Sequence, residues 1–180
     1  MVYLFLADGF EEVEALCPLD LLRRAGITVQ TVGVTGKSVR GAHGVVVQSD
    51  ITAEQIVLDR DLEMVILPGG MPGASNLAQS REVKNAVSYA YENGRYVAAI
   101  CAAPMILGEM GILEGRVAVC YPGFEKYLKG AQISQKNVVV DETVITAKAM
   151  GAAYSFGLTL TQLLCSESTA EEIKRSIFLA

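Results

Sequence analysis

Histidine is nearly absent from this chain: His43 is the only one, and there is no tryptophan. A zinc centre needs several Cys or His ligands at short spacing, and the four cysteines, Cys17, Cys101, Cys120 and Cys165, contain no Cys-x-x-Cys pair. A metal site is therefore not expected. Any Ser-His or Cys-His catalytic pair would have to use His43. No run of Lys or Arg opposes the net charge of −5, which repels phosphate backbones and argues against a nucleic-acid partner. The uncharged apolar stretches all fall short of the ~20 residues that cross a bilayer, so no membrane association is expected. The start, Met1 to Asp8, has no basic leader and only a short apolar run, unlike a signal peptide. The expectation is a cytoplasmic protein with free thiols, since a chain that is 51% hydrophobic over 180 residues has core enough to fold without disulfide staples.

What is present is strand alternating with helix. Val2–Leu6, Met64–Leu67 and Tyr96–Ile100 are short, continuous apolar runs, the pattern of strands buried on both faces. Between the first two, Glu11, Glu12 and Glu14 open a helix whose amino end favours negative charge, Val13, Leu16, Asp20 and Leu21 recur at helical spacing, and Gly26 closes it. A strand is predicted at Ile27–Val34, an extended segment at Val45–Val47 and a helix over Glu82–Asn93. Another helix follows at Ala102–Met110, then a hairpin around Asp141-Glu142, and closing helices at Ala152–Leu164 and Ala170–Phe178. This alternation predicts one α/β domain spanning residues 1–180. Its mostly parallel central sheet has helices on both faces, and any ligand sits at the strand C-termini.

Three loops fall at such ends: Asp8–Glu14, Pro68-Gly69-Gly70 and Ile100–Pro104. Cys101 lies at a strand-to-helix junction, where the helix dipole and free amides favour a thiolate, comparable sites having pKa values of ~3.5–7.5. It is either a reactive thiol or one of the many cysteines that only pack. Gly69-Gly70 either aims bare amides at a bound oxygen, as an oxyanion hole does, or is a plain turn. Glu14 either points into the crevice as a protonated carboxyl or is solvated like Glu11 and Glu12, from which it is separated by about 300° and 200° around the helix. Cys17, Cys120 and Cys165 read as packing or structural cysteines.

Taken together, Ala-Ile-Cys101-Ala-Ala-Pro, Leu-Pro-Gly69-Gly70 and Glu-Glu-x-Glu14, followed by Asp20 and Arg24-Ala-Gly26, resemble the ThiJ/PfpI superfamily. The branch is that of the Parkinson's-disease-associated protein deglycase and its bacterial relatives, and the likeness runs from Val2 to about Leu164. It implies a flavodoxin-like three-layer α/β/α sandwich of the class I glutamine amidotransferase-like type, and a homodimer. Cys101 would be the nucleophile at an elbow, Glu14 the protonated carboxyl against its sulfur, and Gly70 and Ala102 the amides of the anion pocket. Arg24 matches an arginine near the dimer interface, and His43 stands where relatives carry an interface arginine. Tyr121 occupies the position that is histidine in the animal deglycase, so an acid/base partner is replaced by a phenol. Lys148-Ala-Met-Gly151 replaces the usual Arg-Gly-Pro-Gly loop, and Ala102 replaces the histidine of the protease-like branch.

The implied activity is a cysteine-dependent, cofactor-free glyoxalase or deglycase acting on small reactive carbonyls, such as methylglyoxal to lactate, or on glycation adducts. The competing expectation is a redox sensor or redox-regulated chaperone that oxidises Cys101 to a sulfinate. A flavin or nucleotide binder is disfavoured, because neither G-x-G-x-x-G nor G-x-x-x-x-G-K-[ST] occurs.

Overall fold

The computed structural model describes residues 1–179. In chain order the elements are β1 (Val2–Leu6), α1 (Glu12–Arg24), β2 (Val29–Gly33), β3 (Ser38–Arg40), β4 (Val46–Gln48), β5 (Ile51–Thr52), β6 (Met64–Leu67), α2 (Gly73–Gln79) and α3 (Arg81–Glu92). They continue as β7 (Tyr96–Ile100), α4 (Pro104–Glu109), β8 (Val117–Ala118), β9 (Gln132–Ile133), β10 (Val138–Asp141), β11 (Val144–Ala147), α5 (Ala153–Leu164) and α6 (Glu167–Ser176). Seven strands form one sheet in the order β10-β11-β7-β6-β1-β2-β5, parallel throughout except for β10 against β11. β1 lies inside it, next to the central β6, with Val2 beside Val29 on one flank and Met64 on the other.

Both faces of that sheet are covered, which is why its strands read as unbroken apolar runs. Along β1, Tyr3 and Phe5 pack with Leu77, Ala86, Val87 and Ile106 on the α2–α3–α4 side. Val2, Leu4 and Leu6 pack with Ala15, Leu19, Leu22, Phe156 and Leu160 on the α1–α5 side. This is the expected α/β/α sandwich. The two helices on the second side cross closely at Gly157, where a Cβ would fall 2.7 Å from Leu21 Cδ1. Two small sheets stand apart from the main one, the β3–β4 hairpin and the β8–β9 pair.

The buried face of α1 differs from the sequence expectation. Val13 and Asp20 are exposed, while Glu12, Glu14, Ala15, Pro18, Leu19, Leu21 and Leu22 are buried. The first turn is enclosed by loops that supply amide donors, so carboxylates take places that periodicity assigns to apolar residues. The helix after Cys101 begins at Pro104, two residues later than predicted, with residues 101–103 forming a turn.

The sheet turns at β1. From there the chain runs outward through β2 and β5, then returns to β6 on the opposite flank, so strand order reverses between β1 and β6. Loops leaving neighbouring strand ends diverge at such a point and open a crevice. The connections after β1, β6 and β7 carry Glu14, Gly69-Gly70 and Cys101 to it.

Candidate active site

Cys101 follows directly on β7 with φ +65°, a left-handed conformation rare outside glycine. Such geometry costs ~1–3 kcal/mol and persists only where neighbours hold it. Here both peptide groups of the residue are held. Its N–H donates to the Ala147 carbonyl (2.9 Å), and its own carbonyl accepts from Tyr121 N–H (2.8 Å). The bend turns the half-buried thiol toward the amides of Gly70 and Ala102 and the carboxyl of Glu14, the polar groups that act on its titration.

Gly69-Gly70 is more than a turn. A Cβ on Gly69 would lie 2.6 Å from both Cys101 Cβ and Glu14 Oε2, so this loop runs against the Cys101–Glu14 pair with no room for a side chain. Gly70 has φ +85° and its missing Cβ would overlap the Glu11 amide. Glycine at both positions is what allows an amide to reach the sulfur.

Glu14 is 1% exposed, and its Oε2 accepts from Gly69 N–H at 3.0 Å. Burial pushes the carboxyl up to about 7, against hydrogen bonds from the Cys101 thiol and from the Gly69 and Met150 amides, with the Glu11 charge reinforcing the rise. It therefore keeps its proton well above the pH at which an ordinary carboxyl loses it. Burial, and then the Glu14 charge, pushes Cys101 up to about 12, while the Gly70 and Ala102 amides pull the other way. This corrects the thiolate expected from a helix dipole. α4 has only six residues and starts at Pro104, and the charge facing the sulfur is a carboxylate. The pair resists carrying two negative charges, so ionisation of one member requires the other to hold a proton.

The remaining sequence candidates fall in different places. Ala102 is buried, and its amide pulls the thiol pKa down. Tyr121 is anchored beside Cys101 through its backbone, and its half-exposed ring packs edge-to-face on Phe124. Arg24 lies ten residues beyond Glu14 on α1, ~15 Å along the axis, and pairs with Asp20 at 2.6 Å. It is not part of its own chain's cysteine site. His43 is also outside it, with its Nδ1 2.8 Å from Glu12 Oε2. Glu12, expected to be solvated, is instead buried and also accepts from His43 N–H at 2.7 Å.

Glu11, Glu12 and His43 are the described residues whose potential metal-ligating atoms converge, within 4.8 Å of one another. The carboxylates already hold protein groups, since Glu12 holds His43 and Glu11 caps α1 by accepting from Glu14 N–H at 2.7 Å. Of the other thiols, Cys120 is buried and Cys17 half-buried, and burial pushes both up to about 11. Cys165 is exposed at the end of α5, not packed as the sequence implies. A groove of about 590 Å³ bounded by Met71, Met105, Phe124 and Tyr127 lies beyond Gly70, and Cys101 does not line it. The sequence reading missed the Met150 amide and the Ala147 carbonyl, whose roles have no side-chain signature.

A thiol on a left-handed elbow, two amides and a protonatable glutamate occur here in a sheet of this order, and the family match covers residues 1–163. The chain belongs to the DJ-1/PfpI family. It is 34% identical over 178 residues to the Parkinson disease protein 7 homolog of Danio rerio, covering 97% of this chain and 94% of that protein. It is 30% identical to the glutathione-independent glyoxalase DJR-1.2 of Caenorhabditis elegans, covering 96% and 92%. The crystal structure of Drosophila melanogaster DJ-1beta superposes with a TM-score of 0.94 at 31% identity, covering 99% of this chain and 97% of that one. The resemblance read from the three motifs therefore holds for the family and for the flavodoxin-like fold. No described helix is long and apolar enough to cross a membrane.

Proposed function

We propose that this DJ-1/PfpI protein is a cysteine-dependent glyoxalase of small reactive carbonyls, with Cys101 as nucleophile and Glu14 as proton carrier. The observation that carries the reading is the Cys101–Glu14 contact inside two amide donors, with the carboxyl raised to about 7. A group titrating there is able both to take and to return a proton at neutral pH. The relative named as a glutathione-independent glyoxalase supports the same reading.

In the first step the sulfur attacks the aldehyde carbon of methylglyoxal. The carbonyl electrons move onto oxygen, which sits at the Gly70 and Ala102 amides and takes up the thiol proton, giving a hemithioacetal. Glu14, ionised, removes the proton on the former aldehyde carbon, and the resulting enediol is reprotonated at the adjacent carbon. That leaves a thioester of the 2-hydroxy acid, which water cleaves to lactate and free thiol. One carbon is oxidised and its neighbour reduced, so the sum is redox-neutral and needs no external cofactor. Tyr121, at the mouth of the site, is the candidate to orient the ketone oxygen. The same addition on an early glycation adduct would constitute deglycase activity.

The test is lactate production from methylglyoxal without glutathione. Wild type turns over, Cys101→Ser does not, and Glu14→Gln is strongly reduced; full turnover by Cys101→Ser rejects the reading.

A second reading is favoured by the same protonated carboxyl, which would hydrogen-bond to a cysteine sulfinate. Two equivalents of peroxide would each give one oxygen to the Cys101 sulfur and leave as water. Selective gain of two oxygens on Cys101 supports this role, and equal oxidation of all four cysteines counts against it. We further propose a homodimer in the cytoplasm, with the half-exposed Val13, Met150 and Tyr154 and the neighbouring Arg24 at the contact. Sedimentation of wild type against Tyr154→Arg checks it.

A further inference from the structure

The β3–β4 hairpin projects from the fold as two three-residue strands, with Val39 its one fully buried strand residue. An isolated two-stranded hairpin is marginal in water, so something must fasten it. Val39 packs into the core on the α1–α5 side, and the hydrogen-bonded anchors land on residues 8–12, which join β1 to the first turn of α1. Arg40 N–H donates to Asp8 Oδ1 (2.8 Å), Gly9 N–H to the Arg40 carbonyl (2.8 Å), and Ala42 N–H to the Phe10 carbonyl (2.8 Å). At the tip, the Glu12 carboxylate takes His43 N–H and the His43 ring, and a Cβ on Gly41 would overlap that carboxylate.

The other side of residues 8–12 holds the reactive pair. Glu11 N–H donates to the Gly69 carbonyl (3.0 Å), the Glu11 carboxylate caps Glu14 N–H (2.7 Å), and Gly69 N–H reaches Glu14 Oε2 (3.0 Å). A Cβ on Gly73 would fall 2.6 Å from Gly9 C, so the two loops are packed with no slack. One connection is thus gripped between the hairpin and the cysteine loop, and of the two carboxylates that fasten the hairpin, Asp8 is exposed and Glu12 is buried.

We propose that Glu12 is a positioning residue: by fastening the hairpin to the β1–α1 connection it fixes Gly69, Gly70 and Glu14 against the Cys101 sulfur. This rests on the reading of Cys101 and Glu14 as the working pair, but its readout does not require turnover. Glu12 faces His43 and lies near Glu11, while Glu14 faces Cys101 and Glu11, so these are the charged and titratable groups the readout must separate.

The experiment is peptide-resolved alkylation of Cys101 by iodoacetamide across pH 5–9, with amide exchange at residues 41–46 and 69–70. It is run on Glu12→Ala, Glu12→Gln and His43→Ala. In Glu12→Ala, exchange rises about tenfold or more at both segments, and the inflection set by Glu14 moves toward the ordinary carboxylate range. Glu12→Gln, whose amide oxygen still accepts from His43 N–H, stays close to wild type, which separates positioning from loss of charge. His43→Ala is intermediate, because the backbone bond survives. Faster exchange in the hairpin alone, with the Cys101 profile unchanged, overturns the proposal, as does a Gln variant as altered as Ala. If Glu12→Ala does not fold, Gly41→Ala, which displaces the same carboxylate, is held to the same criteria. If wild type makes no lactate but Glu12→Ala still moves the alkylation profile, the positioning role stands and the glyoxalase reading falls.

Discussion

Replacing Glu14 by glutamine should abolish a pH dependence of stability that wild type carries. The Glu14 carboxyl is raised from its ordinary 4.5 to about 7 by burial, so the folded state binds this proton more tightly than the unfolded chain. Between those two values the native protein holds more protons, and stability falls as pH rises. At 1.36 kcal/mol per pH unit the group removes up to about 3 kcal/mol by pH 8, relative to pH 4. Glutamine keeps an oxygen for Gly69 N–H and cannot ionise. Urea unfolding of both proteins at pH 5 and pH 8 reads the effect as a difference of differences, in which the titration of His43, Glu12 and Asp50 cancels. The wild type should lose about 2–3 kcal/mol more than Glu14→Gln over that interval. Parallel pH dependence in the two proteins would show that Glu14 ionises as freely when folded as when unfolded, and the proton-carrier role would go with it.

Three further outcomes follow from the packing. Gly69→Ala drives a Cβ to 2.6 Å from Cys101 Cβ and Glu14 Oε2, so thermal unfolding should show a loss of about 1–3 kcal/mol, and lactate production should vanish. Phe156→Ala, at a fully buried position between α5 and the sheet, should cost about 3–5 kcal/mol in urea with turnover retained in the folded fraction. In a maleimide time course followed by mass spectrometry, Cys165 should label first and Cys120 only on unfolding.

The parallel core was legible because burial on both faces leaves no polar alternation to obscure it. β1, β6 and β7 coincide with the predicted apolar runs residue for residue. α2 was not legible, since it opens on Pro72-Gly73 and carries Ser75 and Asn76, the composition of a loop. The two-residue strands β5, β8 and β9 exist only through their partners. At the site, Cys101, Glu14 and Gly69-Gly70 were found by position and motif. What local pattern could not reveal is how the carboxylates are satisfied: Glu14 bonds to Gly69 across 55 residues and Glu12 to His43 across 31. Nor could it reveal the direction of the thiol's shift, because the nearest charge to Cys101 is 87 positions away in the chain.

The elbow at Cys101 has one more consequence, for the protein's synthesis. Its amide is held by Ala147 and its carbonyl by Tyr121, both of which are made after it. A ribosome adding ~5–20 residues per second needs ~2–9 s to go from residue 101 to residue 147. Over that interval the nascent chain carries Cys101 as an ordinary thiol, with a pKa of about 8.5 and neither the carboxyl nor the amides arranged around it. The residue with the most distinctive chemistry in the finished protein is among the last to acquire it.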